Sequence, residues 1–564
     1  MMRGGRGAVS ALAASMLLTI SVTAQVKAQG SGTPVPVDAQ PAAHAEPTLA
    51  MQAAARATEI GGRAAHADDI AALRDYYAAN PDKPLWIEAG GLSARARSVI
   101  AELHRADDWG LTAASFVVPS GAGPDAGPLA DAEAQLSLAV LKYARHARGG
   151  RMDPTQLTDA IDRTANLLAP GRVLAAIAAA SATDEYLRKL HPQHPQFERL
   201  RKLYVDIRAG KVEQPAPVVV AELLDEVTRK GKKRIAAAPK PPVPLTAERV
   251  LFNMEQWRWM PDDLGPLHIA VNIPEFQIRV MKDGKPIHTE RVVTGSVTNQ
   301  TPIFSKDMET VVFQPGWGVP PSIKVKELLP GLLAGRDPVG SRGYRMSYRG
   351  REVSAGSLDW RSVDIRKVSI VQPPGPSNAL GVVKFLFPNK HDVYLHDTPS
   401  KSLFNADMRA FSHGCVRVRN PVRLAEIIFA ETGGWAPSRV ASLVRGGKDD
   451  NQIPLPAKMG VHITYFTVVV DDDGKVHDYR DIYGHESRVK GGLEGRTSQV
   501  ARKVEDLNAV RTALVGRSPS RRGGNPFFGD DDDYRSRGRN GSRSARSVRA
   551  ARSGGGSSFS WFGN

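Results

Sequence analysis

The chain has 564 residues, 75 Lys+Arg against 59 Asp+Glu for a net charge of +16, 41% hydrophobic residues and one cysteine. Its length excludes a single small domain, its lone Cys excludes an internal disulfide, and the absence of a long apolar run beyond the first 30 residues excludes an internal membrane span. The positive excess suits nucleic acid, anionic lipid or an anionic polymer, although Arg517 to Arg552 alone carries ten Arg and four Asp. Arg3 and Arg6 precede a largely apolar run from Ala8 to Val22, and Val22-Thr23-Ala24 offers small residues for cleavage before Gln25. Residues 1–24 therefore read as a signal peptide, and export takes nucleic acid out of the list of partners. Residues 25–66, rich in Ala, Pro, Gln and Thr, read as a disordered linker.

From 67 to 245 the spacing is helical. Ile70, Leu73, Tyr76 and Tyr77 share a face. Ser93 caps a helix through Ala96, Val99, Ile100 and Leu103. Leu136, Val140, Leu141 and Tyr143 mark another, ended by Gly149-Gly150, and Val173 to Ala180 and Tyr186 to Leu190 continue the pattern. These stripes read as the core of a helical scaffold. The Pro-rich stretch 212–245 reads as a connection with a short helix at Ala221–Arg229.

A helix begins at Ala247 and carries Val250, Leu251, Met254 and Trp257; after Pro261 the period becomes two. Leu267 to Ile273, Phe276 to Val280 and Ile287 to Val293 read as strands, the last two joined by a hairpin turn at Lys282-Asp283-Gly284-Lys285. Further strands are expected at 309–313, 368–371, 382–386, 392–395, 415–418 and 463–470, with a turn at Asp472-Asp473-Gly474 before 476–479. The fold class is then α+β and multidomain: a helical scaffold at 67–245, followed by a mainly-β domain at 246–490. Residues of about 320–364 are poorly patterned and read as an insertion that could act as a lid. After 491 a helix over Val500 to Val515 precedes an Arg/Ser/Gly-rich disordered tail.

The chemistry concentrates in His396-Asp397-Thr398-Pro399 and Ser412-His413-Gly414-Cys415-Val416-Arg417-Val418. A thiol attacks as thiolate, and a neighbouring imidazole can take its proton. Both His396 and His413 lie near enough in sequence to serve. Gly414 lets a substrate approach the backbone N–H groups that an acyl-transfer oxyanion needs. Ser412 adds a hydroxyl donor or fixes the turn. Arg417, on the face of Cys415 in a regular strand, could hold a substrate carboxylate. One Cys and two His leave a tetrahedral metal site short of a ligand, so neither metal nor cofactor is expected.

This pattern resembles the catalytic motif of the YkuD-type L,D-transpeptidases: a His, a spacer, then Ser-His-Gly-Cys, with 15 residues (397 to 411) between His396 and Ser412. Arg417 stands where the family often has Asn, as in its larger, Gram-negative branch. Asn253 to Trp259, Val271 to Pro274, Gln300-Thr301-Pro302, Pro315 to Ile323, Phe387-Pro388-Asn389, Tyr394 to Pro399 and Asp481 to Gly484 extend the likeness. So do Leu85-Trp86, Gly91-Leu92-Ser93, Gly110-Leu111 and Gly149 to Pro154 in the helical part. No copy of the small peptidoglycan-binding module carried by many members of the branch is found between 180 and 245. The resemblance implies a periplasmic, wall-associated enzyme with Cys415 as nucleophile and His396 as base. It implies that Asp397 orients His396 through its carbonyl, and that backbone N–H groups of His413, Gly414 and Cys415 form the oxyanion hole. His413 takes a structural or proton-transfer role. Trp317, Tyr394 and Phe404 line a groove or pack the core. The implied partners are peptidoglycan stem peptides, with an anionic wall polymer or lipid for the basic tail; oligomeric state stays open. A hydrolytic relative, an enzyme attaching protein to the wall, and a non-catalytic wall-binding scaffold are the alternatives.

Overall fold

Alanines at 50, 53 and 57 recur at helical spacing, and each is fully buried. They form one face of the first helix, α1 (Leu49–Gly61), which lies against α4 (Ala126–Gly149). The computed structural model describes residues 48–61, 66–88, 91–120, 125–212, 244–446 and 448–496. The expected leader, the helix at Ala221–Arg229, the helix at 500–515 and the basic tail lie outside these residues. The helix α1 corrects the reading of 25–66 as linker throughout. An alanine-rich segment looks featureless by composition, yet small side chains let two helices approach closely enough to share a core.

The rest of the helical domain is α2 (Ala67–Ala79), α3 (Ala94–His104), α5 (Pro170–Ala179), α6 (Thr183–Lys189) and α7 (Pro195–Arg208). Ser93 caps α3 by accepting the Ala96 N–H, and Gly150 ends α4 at a positive φ of 80°. At the centre lies Glu133, fully buried, whose carboxylate accepts from the Tyr77 hydroxyl and from the backbone N–H of Leu85 and Trp86. A buried carboxylate supplied with that many donors is satisfied and specifies how α2, α4 and the Trp86 segment pack.

Helix α8 (Ala247–Arg258) leads into the β-domain. Its strands are β1 (Leu267–Asn272), β2 (Gln277–Lys282), β3 (Lys285–Gly295), β4 (Phe304–Phe313), β5 (Val383–Leu386), β6 (Leu395–His396), β7 (Ala410–Ser412), β8 (Val416–Val418) and β9 (Asn451–Thr464). The sheet order is β7-β3-β8-β6-β5-β4-β9-β1-β2, and β2 also pairs with β3, which closes a ring of all but β7. Alternate residues fill it: Val271, Ile278, Val292, Val311, Phe385, Leu395, Val416 and Ile463 belong to one buried cluster. Helix α9 (Pro421–Gly433) packs on β9 and β5 and is followed by α10 (Pro437–Gly446), and α11 (His485–Leu493) packs on α8. Among the described residues no helix is long and apolar enough to cross a membrane.

Strand β9 starts well before the expected 463. Pro454 and Pro456 argue against a strand by sequence, and the structure absorbs them where the β9–β4 register shifts, between Pro454 and Met459. The insertion is also more ordered than its sequence suggests. Strands Trp317–Gly318, Arg345–Tyr348, Arg351–Glu352 and Ser369–Gln372 make their own sheet. Trp317, Ile323, Leu328, Leu332, Tyr344, Trp360, Ile370 and Leu380 form its separate core. The insertion thus extends past 364, to about 380.

The helical and β domains interlock. Leu157 and Ile161 belong to the core cluster of the barrel. Ile161 bridges Ile303, Ile303 N–H donates to the Ala160 carbonyl at 2.7 Å, and the Asp162 N–H returns a bond to Ile303 at 2.9 Å. The Arg163 guanidinium, buried, donates to the Ile463 carbonyl at 2.8 Å.

Candidate active site

Parallel pairing of β6 with β8 places Leu395 opposite Val416 and His396 opposite Arg417. The antiparallel β5–β6 pair then sets Lys384 opposite His396. Side chains alternate across a strand, so Leu395, Val416 and Phe385 enter the barrel core while His396, Arg417 and Lys384 share the other face. Cys415 lies one residue before β8, partly buried, and is the only cysteine of the chain.

The loop before β8 is held from several sides. Ser412 Oγ donates to the Cys415 carbonyl at 2.5 Å and accepts the Gly414 N–H at 3.1 Å. Gly414 adopts φ +121°, where side-chain-bearing residues are strained. Its carbonyl accepts the Thr301 hydroxyl at 2.7 Å. Thr301 Oγ1 in turn accepts the Gly295 N–H at 2.8 Å, and the Tyr483 hydroxyl donates to the Gly295 carbonyl at 2.6 Å. His413 Nε2 lies 2.9 Å from Glu327 Oε1 on the insertion.

Around the sulfur, the thiol donates to the Asp392 carbonyl at 3.7 Å. The Tyr394 N–H and hydroxyl both bond the sulfur, and the Trp317 side chain bonds the same hydroxyl. Burial pushes the Cys415 thiol up; the Tyr394 donors and the cations of Lys384 and Arg417 work in the opposite direction. Lys384 Nζ stands 4.1 Å from the centre of the Tyr394 ring. Burial also depresses the Lys384 ammonium.

His396 is almost wholly buried, and its Nδ1 lies 2.5 Å from the Asp397 carbonyl. A carbonyl only accepts, so Nδ1 carries the proton and Nε2 of the neutral ring has its lone pair. Burial, then the Arg417 charge, hold the imidazole well below its ordinary value, so it is neutral at pH 7. The Asp397 carboxylate accepts the Val382 N–H at 3.0 Å, the Thr398 N–H at 2.7 Å and Lys401 Nζ at 2.5 Å. Among the described residues the hydrogen-bond partners of the thiol are Asp392 and Tyr394, and His396 is not one of them.

Several expected substrate contacts take other roles. The Ser412 hydroxyl is spent within its own turn. Arg417 is 2% exposed, so its guanidinium acts from inside the sheet; burial lowers it to about 10. Trp317 is a core residue of the insertion, 1% exposed, and Phe404 is buried as well. The Asp397 carboxylate braces the backbone after His396. Of the N–H groups expected to form the oxyanion hole, that of Gly414 is taken by Ser412, and for Cys415 N–H no acceptor occurs among the described residues. Tyr394 alone of the expected groove residues is both partly exposed and against the sulfur. Lys384, Asp392 and Glu327 were not legible as site residues. Lys384 alternates with Val383 and Phe385 in a strand, the one available signal of a cation on the face opposite the core.

Two stretches of the chain match known domain families. Residues 266–432 match the YkuD model, the L,D-transpeptidase catalytic domain, and residues 71–203 match the scaffold domain. A putative L,D-transpeptidase of Haemophilus influenzae is 31% identical over 243 residues, 43% of this chain and 49% of that protein. The chain thus spans about half the length of that relative. Among solved structures, an L,D-transpeptidase from Mycobacterium smegmatis is 12% identical at a TM-score of 0.16, covering 35% of this chain and 58% of its own. An Enterococcus faecium L,D-transpeptidase mutant is 12% identical at a TM-score of 0.15, covering 44% and 81%. Residues 266–432 thus resemble an L,D-transpeptidase catalytic domain, with a match to a scaffold domain ahead of them over 71–203.

Proposed function

We propose that the protein is an exported, periplasmic L,D-transpeptidase that forms 3–3 cross-links in peptidoglycan, with Cys415 as acyl carrier and His396 as base. The observation that carries this reading is the lone cysteine in its Ser-His-Gly-Cys loop, beside a strand whose imidazole is fixed with Nδ1 on the Asp397 carbonyl. Neutral His396 Nε2 takes the thiol proton as the donor stem binds. The thiolate attacks the carbonyl of the third residue of a stem tetrapeptide, at the L-centre of meso-diaminopimelate. The Cys415 N–H receives the developing oxyanion. D-Alanine leaves, protonated by the imidazolium, and a thioester remains on Cys415. The side-chain amine of a second stem then attacks it, restoring the thiol and giving the cross-link. A thioester keeps its acyl group reactive, so this sequence needs no nucleotide. The apolar insertion beside Tyr394 supports exclusion of water from that thioester.

Incubation of the purified protein with disaccharide-tetrapeptide, followed by mass spectrometry, tests the reading. Dimeric muropeptide is expected from the parent and none from Cys415→Ala. Tripeptide without dimer would make the protein a hydrolase, and unchanged substrate with both proteins would leave a wall-binding scaffold.

A further inference from the structure

The sulfur of Cys415 is surrounded by one short loop. Asp392 offers its carbonyl, Tyr394 its N–H and hydroxyl. Three contacts to the reacting atom therefore depend on where residues 392–394 sit. Asp392 has φ +54°, an uncommon conformation for a side-chain-bearing residue, so the turn must be imposed by its surroundings. Part of that imposition is local: Asn389 Oδ1 accepts the N–H groups of His391 and Val393, at 3.0 and 3.2 Å.

The other part comes from the scaffold. Asp162 takes Lys390 Nζ at 2.7 Å on one carboxylate oxygen and His391 Nε2 at 2.9 Å on the other. Burial opposes ionisation of Asp162, yet bonds from Lys390 and His391 outweigh it and hold the carboxyl below its ordinary range. The backbone of Asp162 is itself fastened, through its N–H on the Ile303 carbonyl. Two residues earlier in that same strap, Thr301 holds the Gly414 carbonyl. Scaffold residues 160–162 thus grip both segments that set the cysteine: the strap that fixes Gly414 and the loop that surrounds the sulfur.

We infer that Asp162 is a positioning residue for Cys415, through its paired bonds to Lys390 and His391, and that the scaffold is a working part of the active site. This rests on the reading of Cys415 as the nucleophile. A displacement of the loop by about 1 Å is enough to cost one to two orders of magnitude in a reaction that depends on alignment. The effect is expected on kcat, because Asp162 bonds the loop through Lys390 and His391 and is not among the partners of the sulfur.

The chain has one cysteine, so a thiol reagent reports on this site alone. The test is the pH profile of iodoacetamide alkylation in the full chain, with single-turnover acylation by tetrapeptide as a second measurement. Asp162→Asn keeps the side-chain shape but turns an amide N–H toward a donor; His391→Leu removes the partner. Glu309→Ala, which breaks the exposed pair with Lys458 at 2.6 Å, is the control. Both loop variants are expected to move the alkylation midpoint by about half a pH unit or more and to slow acylation about tenfold, with KM near the parent value and an unchanged circular dichroism spectrum. Glu309→Ala is expected to match the parent. Alkylation profiles of Asp162→Asn and His391→Leu that superimpose on the parent would overturn the inference, as would an equal shift in Glu309→Ala. Shifted alkylation in a protein without muropeptide turnover would remove the transpeptidase reading and leave this one standing.

Discussion

Lys384 Nζ lies over the Tyr394 ring, whose hydroxyl bonds the Cys415 sulfur, so a cation and a donor act on the thiol from one direction. Both favour the thiolate over the thiol. Removing either should therefore raise the thiol further. Lys384→Met and Tyr394→Phe are each expected to move the alkylation midpoint of Cys415 upward, by about one pH unit. Midpoints that stay put, or fall, would separate these residues from the chemistry.

His396 should matter to catalysis and hardly at all to a thiolate already formed. His396→Gln is expected to lower turnover of tetrapeptide about 100- to 10,000-fold. Its alkylation rate at pH well above the thiol midpoint should match the parent. Turnover within tenfold of the parent would point to His413 as the base.

The pair of His413 with Glu327 is one contact between the catalytic loop and the insertion. Glu327→Gln is expected to increase hydrogen exchange across 321–333 and to raise KM for the donor stem by a few fold, with a smaller change in kcat. Exchange identical to the parent would mean that this pair does not hold the insertion.

Gly414→Ala has room for its methyl, since the nearest contact would be the Gln300 carbonyl at 3.6 Å. The difficulty is φ +121°, which costs about 1–3 kcal/mol in a residue with a side chain. The variant should fold with a lowered melting temperature and lose most turnover, because relief of the strain turns the peptide on which Thr301 and Ser412 depend. Full activity would show that the loop tolerates another conformation.

Acid should destabilise the protein well before its carboxylates protonate. Burial lowers His462, His485 and His194 to about 4 and His146 to about 3. Their folded values lie below the unfolded one, so the unfolded chain binds more protons between roughly pH 6.5 and 4. Each such group then removes stability as pH falls, by about 1.4 kcal/mol per pH unit within that window. Thermal unfolding from pH 7.5 to 4.5 should show a steep decline below 6.5. His485→Leu, at a fully buried ring, should make the decline shallower; an unchanged slope would mean that this ring is already exposed to protons.

Much of the site was legible because its central residues are contiguous. Ser412 to Cys415 is a local turn, and a strand followed by His396-Asp397 is a local pattern. The Ser93 cap was legible for the same reason, as was the hairpin at Asp283-Gly284, whose two residues have φ of +48° and +77°. Helix α9 had the signals too, with Pro421 in its first turn and Gly434 at φ +66° beyond its end, and went unread. What composition concealed were α1, whose alanines look like low complexity, and β9, whose prolines look like breakers. What spacing could not show were partners distant along the chain: Lys384, Asp392, Glu327 and Asp162 reach Cys415 or its loop only because the barrel closes and the scaffold docks.

Leu157 and Ile161 are buried in the same apolar cluster as the side chains of the barrel strands. A fragment beginning at 246 would expose the apolar side chains that these two residues help to cover and leave Ile303 without its bonds to Ala160 and Asp162. Such a fragment is a poor choice for inhibitor screening or crystallisation, and a scaffold swapped in from a relative would have to bring the same contacts.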